Sequence, residues 1–203
     1  NPVRANLIPA LSGLTSEAAT HFGLASDKPT LFVMGGSLGA KTLNVAMKAA
    51  LDHFKTNSFQ LLWQCGKSYE QELANFQDAL PENVKVFPFI QRMDLAYALS
   101  TVIVSRAGAL SVSELALVGK PAILVPSPNV AEDHQTKNAR ALVDRSAALL
   151  VADVQAQQEL LSTALHLLQD PAQQAALSAE LKAMALPNAT KDIVDVCEKV
   201  AQK

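Results

Sequence analysis

Two glycine-bearing turns carry backbone able to hold a phosphate: Gly35-Gly36-Ser37-Leu38-Gly39-Ala40 and Ser105-Arg106-Ala107-Gly108-Ala109-Leu110. Each directly follows an apolar run, Leu31-Phe32-Val33-Met34 or Val102-Ile103-Val104, and each opens a helix-like pattern. A buried strand that breaks into such a turn and then a helix leaves backbone N–H groups unpaired at the helix start. Those donors and the helix dipole attract anions. Two such turns in one short chain point to a crevice that holds a diphosphate.

Neither turn fits the commonest nucleotide motifs. Gly35 through Thr42 reads G-G-S-L-G-A-K-T, with Ala40 where a P-loop needs its second glycine. The apolar runs Phe59–Cys65 and Val102–Ser105 also end without the carboxylate that would hold magnesium. The dinucleotide fingerprint G-x-G-x-x-G is absent. The second turn runs into Ser111-Val112-Ser113-Glu114, which has two readings. One is a capping box, with Ser111 and Glu114 satisfying the first helical N–H groups. The other has Glu114 accepting hydrogen bonds from the neighbouring hydroxyls of a ribose, which suits a group that only accepts.

A third polar segment, Pro126 to Gln135, follows the apolar run Ala122–Val125 and enters a helix that Asp133 is placed to cap. His134 and Gln135 then occupy the first helical turn, where an amide could donate to and accept from sugar hydroxyls. His21, His53 and His166 fall on helical patterns without a partner motif. No nucleophile–histidine set, paired carboxylates or metal-ligand spacing emerges, so no catalytic residue and no metal site is assigned.

These segments need a scaffold, and the spacing of the apolar runs supplies one. Thr30–Met34, Phe59–Cys65, Val84–Phe87, Val102–Ser105, Ala122–Val125 and Ala148–Val151 read as buried strands. Helical patterns lie between them, including Ser68–Leu80, Asp94–Ser100, Leu110–Val118 and Asp133–Asp144. Regular alternation with short connections predicts an α/β, Rossmann-like parallel six-stranded sheet with helices on both faces. Ligands in such sheets sit beyond the carboxyl ends of the strands, where both glycine turns fall. After Val151 the pattern is purely helical: Gln155–Gln169, Pro171–Ala185 and Thr190–Lys203. The expected division is therefore a Rossmann-like domain over 1–152 and a helical C-terminal extension over 153–203.

Composition narrows the class. Of 203 residues, 49% are hydrophobic and 18% charged, with a formal net charge of −2, so bulk nucleic-acid affinity is not expected. Cys65 and Cys197 suit a reduced compartment without disulfides. No apolar run approaches the ~20 residues of a membrane-spanning helix. The opening Asn1-Pro2-Val3-Arg4 lacks a methionine and reads as an internal segment, from a fragment or an engineered domain.

Five ordered segments carry a family resemblance: Asn1-Pro2-Val3-Arg4, GGSLGA at 35–40, Phe89-Ile90 followed by Met93, SRAGALSVSE at 105–114, and DHQTKNA at 133–139. Together they resemble the C-terminal half of glycosyltransferase family 28, the bacterial cell-wall N-acetylglucosaminyltransferases. The resemblance implies one half of a GT-B fold and an inverting transfer of GlcNAc from UDP-GlcNAc to lipid I, giving lipid II, with no cofactor. It also implies roles for matched positions. Arg4 and Ser37 would contact the donor diphosphate region, Ile90 would meet uracil through its backbone, and Met93 would give apolar cover nearby. Ala109 and Leu110 would present amides to phosphate, Glu114 would hold the ribose, and Gln135 would recognise GlcNAc. Leu38 and His134 depart from the family, which commonly has Gln at the first position and in some members at the second.

The acceptor site, the catalytic base and the membrane patch belong to the family's N-terminal half. The intact protein would thus work in the cytoplasm, peripherally on the inner membrane. Two alternatives stay open: another GT-B UDP-sugar enzyme, such as a transferase or UDP-GlcNAc 2-epimerase, and a non-catalytic nucleotide-sugar-binding module that needs a partner subunit.

Overall fold

The computed structural model describes residues 1–3, 7, 11–56 and 58–201. Six parallel strands run β1 Thr30–Met34, β2 Gln60–Gln64, β3 Val84–Phe87, β4 Val102–Ser105, β5 Ala122–Leu124 and β6 Leu149–Leu150. Their order across the sheet is β3-β2-β1-β4-β5-β6. The winding reverses between β1 and β4, whose residues pair directly from Leu31 with Val102 to Met34 with Ser105. That reversal opens a crevice beyond the carboxyl ends of these two strands, and the two glycine turns leave from those ends.

Helices cover both faces because side chains alternate along each buried strand. Phe32, Met34, Leu62, Ile103 and Leu124 point to one face. There they pack under α1 Thr15–Phe22, α4 Met93–Leu99, α5 Ala109–Val118 and α6 His134–Val143. Leu31, Val33, Leu61, Trp63, Val104 and Ile123 point to the other, under α2 Lys41–Thr56 and α7 Ala156–Gln169. The next helix, α8 Pro171–Ala183, reaches both cores through Leu177 and Leu181. The last, α9 Ala189–Ala201, keeps Ala189 buried and leaves Ile193, Val194, Val196 and Val200 exposed. No described helix is long and apolar enough to cross a membrane.

The continuous helix expected over Ser68–Leu80 is broken. A 3-10 turn at Lys67–Tyr69, the short α3 Glu70–Ala74 and a second 3-10 turn at Gln77–Ala79 replace it. Tight bonds from Asn75 N–H to Glu72 O and from Phe76 N–H to Leu73 O close the helix early. Phe76 then stacks on Trp63, with ring centroids 6.3 Å apart and Lys48 over its outer face. Packing of one aromatic ring thus overrides helical periodicity.

Candidate functional site

The first turn, between β1 and α2, is fixed through its backbone. Gly36 and Gly39 adopt φ 84° and 89°, and Gly66, which follows β2, adopts φ 95°. These are left-handed values that cost other residues energy. A Cβ on Gly39 would overlap the Cys65 carbonyl, and one on Gly66 would overlap the Gly39 backbone. Lys67 N–H donates to Ser37 O at 3.0 Å, and Gln64 Nε2 donates to Gly36 O at 3.1 Å. Ser37 is left exposed at the rim.

Gln64 also accepts the Ile90 N–H at 3.0 Å, so the first turn and the segment after β3 share one buried amide. Ile90 and Met93 are 3% and 4% exposed, and both belong to the core under α4. With the Ile90 N–H taken by Gln64, a backbone contact to a base falls to its carbonyl.

The second turn needs no left-handed residue; Gly108 sits at φ −65°, ψ 150° as the N-cap of α5. No side chain caps that helix, and its first turn holds no carboxylate. The amides of Ala109, Leu110 and Ser111 therefore face a helix start that no side chain closes. Ala109 and Leu110 are exposed. The capping-box reading fails because Ser111 lies inside the helix rather than at its N-cap. Glu114, 8% exposed, accepts instead from the buried Tyr97 hydroxyl at 3.0 Å. Tyr97, on α4, orients the carboxylate, and nothing local in the sequence signals that partnership.

The second turn is held from outside. Gln135 Oε1 accepts from Ala107 N–H at 3.2 Å and Ser127 N–H at 2.9 Å, while Asn138 Nδ2 donates to Ala107 O at 3.0 Å. Gln135 thus spends its oxygen on two backbone amides, which leaves its NH₂ group to address a ligand as a donor only. Asp133 does not cap α6. Glu132 and Asp133 adopt φ 54° and 51°, a left-handed entry that removes Asp133 from the extended N-cap geometry. His134 is exposed and its Nδ1 lies 2.9 Å from Ala131 O.

Gly35, Lys41, Thr42, Arg106, Gln135 and Asp153 line a crevice of about 290 Å³ between the turns. Thr42 Oγ1 donates to Asp153 Oδ2 at 2.9 Å, and Arg106 Nη1 pairs with Asp153 Oδ1 and donates to Val125 O at 2.9 Å. Of the expected site residues, Ser37, Ile90, Met93, Ala109, Leu110 and Gln135 lie in the connections that leave the strands or in the first turn of the helix that follows, whereas Glu114 sits midway along α5. Gln135 lines this crevice with the first turn. Arg4 lies outside the described residues.

A larger cleft, about 550 Å³, opens at the opposite edge beside Ser100, Thr101 and Lys120. There α4 and α5 present their carbonyl ends, which disfavour anions. Burial, with Lys182 nearby, pushes the Lys120 amine below its ordinary pKa. Among the described residues, no group of three or more metal-ligating side chains occurs.

The comparisons with known proteins bear on the family and the fold. The glycosyltransferase family 28 C-terminal domain matches residues 30–193. A UDP-N-acetylglucosamine–N-acetylmuramyl-(pentapeptide) pyrophosphoryl-undecaprenol N-acetylglucosamine transferase from Flavobacterium psychrophilum is 47% identical over 202 residues, covering 100% of this chain and 54% of that protein. Its namesake from Cytophaga hutchinsonii is 50% identical over 195 residues, covering 96% and 52%. The chain spans about half the length of these relatives. The crystal structure of Acinetobacter baumannii MurG superposes with a TM-score of 0.77 at 32% identity, covering 97% of this chain and 55% of that one. WaaG, a glycosyltransferase of lipopolysaccharide biosynthesis, shares the fold at a TM-score of 0.65 and 14% identity, covering 94% and 54%. The architecture is one half of a GT-B fold, and the chain belongs to the glycosyltransferase family 28 C-terminal domain.

Proposed function

We propose that this domain binds UDP-GlcNAc and is the donor half of an inverting N-acetylglucosaminyltransferase that converts lipid I to lipid II. The observation that carries the reading is the uncapped start of α5 at the sheet's switch point, with the Tyr97-oriented Glu114 one and a half turns further along. In this reading uracil meets the Ile90 carbonyl, with Met93 behind it, and Glu114 accepts from the ribose hydroxyls. The amides of Ala109 and Leu110 take the diphosphate, together with Ser37 and Arg4. Gln135 donates its NH₂ to an oxygen of the GlcNAc ring.

The chemistry follows from that placement. Breaking the sugar–phosphate bond leaves negative charge on UDP. Amides already aimed at the phosphate stabilise that charge as it develops, without reorganising. The acceptor hydroxyl must lose a proton; among the described residues that line the crevice the carboxylate is Asp153, already bonded to Thr42 and Arg106. Base, acceptor site and contact with the cytoplasmic membrane face are assigned to the N-terminal half of such enzymes. In the same reading, residues 1–152 form the donor domain, and the helices of 153–203 brace it or cross to that other half.

Calorimetry with UDP, UDP-GlcNAc, ATP and NAD tests the proposal. The expected result is binding of the two uridine ligands alone and no sugar transfer by this chain. Preference for ATP would overturn it in favour of a degenerate P-loop.

A further inference from the structure

Asp153 opens the 3-10 turn Asp153–Gln155 that leads into α7, and its side chain is 16% exposed. Its two carboxylate oxygens serve different parts of the crevice. One accepts from Thr42, in the first turn of α2 and 111 residues away; the other pairs with Arg106, in the second glycine turn and 47 residues away. Arg106, 13% exposed, also donates to the carbonyl of Val125, one residue past β5. One carboxylate thereby ties together the exits of β1, β4, β5 and β6 around the point where the sheet reverses.

We propose that Asp153 is a positioning residue for nucleotide-sugar binding: it clasps Thr42 to Arg106 and so sets the spacing of the two phosphate-facing turns. Two features favour a positioning role over a merely stabilising one. A largely buried ion pair contributes little net stability, because desolvating both charges offsets their attraction. Its geometric effect here is specific, since it joins the two glycine turns, whose separation a diphosphate must match. The pair also keeps the Arg106 guanidinium in place, neutralised, so that amides rather than a mobile cation meet the ligand. This proposal rests on the donor-binding reading above.

Asp153→Asn and Thr42→Val in the full 203-residue chain test it, with UMP and UDP-GlcNAc as ligands and thermal melting as the control. UMP requires only the uridine side and one phosphate, whereas UDP-GlcNAc must reach across to the first turn and Gln135. Asp153→Asn is expected to weaken UDP-GlcNAc about tenfold and UMP less than twofold. Thr42→Val should weaken UDP-GlcNAc about threefold, and the double variant should be no worse than Asp153→Asn, because Thr42 acts through Asp153. Thr42→Val keeps the side-chain shape and decides the matter if Asp153→Asn does not fold. Equal loss for both ligands, no loss, or tighter UDP-GlcNAc binding would overturn the clasp while leaving the donor reading intact. A wild-type chain that binds neither ligand would overturn both.

Discussion

The two glycine turns look alike in sequence and are built in opposite ways. The first is locked by backbone: left-handed glycines at 36 and 39, and a close approach of Gly39 to Gly66 that no side chain tolerates. The second has an ordinary backbone at Gly108 and is held by side chains from elsewhere, Gln135 and Asn138 on α6 and Asp153 through its pair with Arg106. A glycine therefore means different things in the two places. In the first turn it is a steric requirement; in the second it leaves a helix start open.

One methyl group added to each turn should separate the two most clearly. Gly66→Ala forces a left-handed alanine into the Gly39 backbone and should cost ~3 kcal/mol or more, read by urea denaturation. Gly108→Ala meets only Ser111 Oγ at 3.7 Å, and stability should change by no more than about 1 kcal/mol. Similar losses in both variants would mean that the turns are built alike.

Gln135 separates support from recognition. Gln135→Ala strands the amides of Ala107 and Ser127 and should cost about 1–3 kcal/mol. Gln135→Glu keeps an acceptor for them and should recover most of that stability. Both variants lose the NH₂ donor, so both should lose the preference for UDP-GlcNAc over UDP. If that preference survives in either, Gln135 does not read the sugar.

Glu114→Gln is smaller in effect and confined to the second turn's helix. Its amide can still accept from Tyr97, so the melting temperature should stay within a few degrees. UDP affinity should fall about tenfold, or ~1.4 kcal/mol. Unchanged affinity would remove Glu114 from the ribose.

The cysteines report on the same contrast without altering it. Cys65 lies against the first turn, and burial pushes its thiol up to about 11. Cys197 is exposed on α9. At pH 8 a thiol reagent should therefore modify Cys197 and spare Cys65 until the fold opens, and Gly66→Ala should uncover Cys65. The raised value also sets a sign. The unfolded chain gives up this proton first, so stability should fall as pH rises from the ordinary thiol range through about 11.

How much was legible follows from range in sequence. The run Thr30–Met34 announces a strand because every side chain in it is buried, and β3 and β4 are read residue for residue. The run Ala148–Val151 overstates β6, which pairs only through Leu149 and Leu150 at the sheet edge. Glycine turns, and the family motifs around them, mark the crevice because they are local. The partners that shape it are not local: Tyr97 on Glu114, Gln64 between Gly36 and Ile90, and Asp153 between Thr42 and Arg106. Each is an unremarkable polar residue until the sheet brings its strand end to the site. Asp133 shows the reverse error, since a residue of the right type for an N-cap is turned away by its own positive φ.

Amide chemical shifts on titration of the ¹⁵N-labelled chain with UDP-GlcNAc test the central claim, that a nucleotide sugar lies across both turns at the carboxyl edge of the sheet. The largest shifts are expected at the amides of Gly108 to Ser111, of Gly36 to Ala40, and at the Gln135 side-chain NH₂. Shifts concentrated instead around Ser100, Thr101 and Lys120, in the larger cleft at the opposite edge, would contradict it.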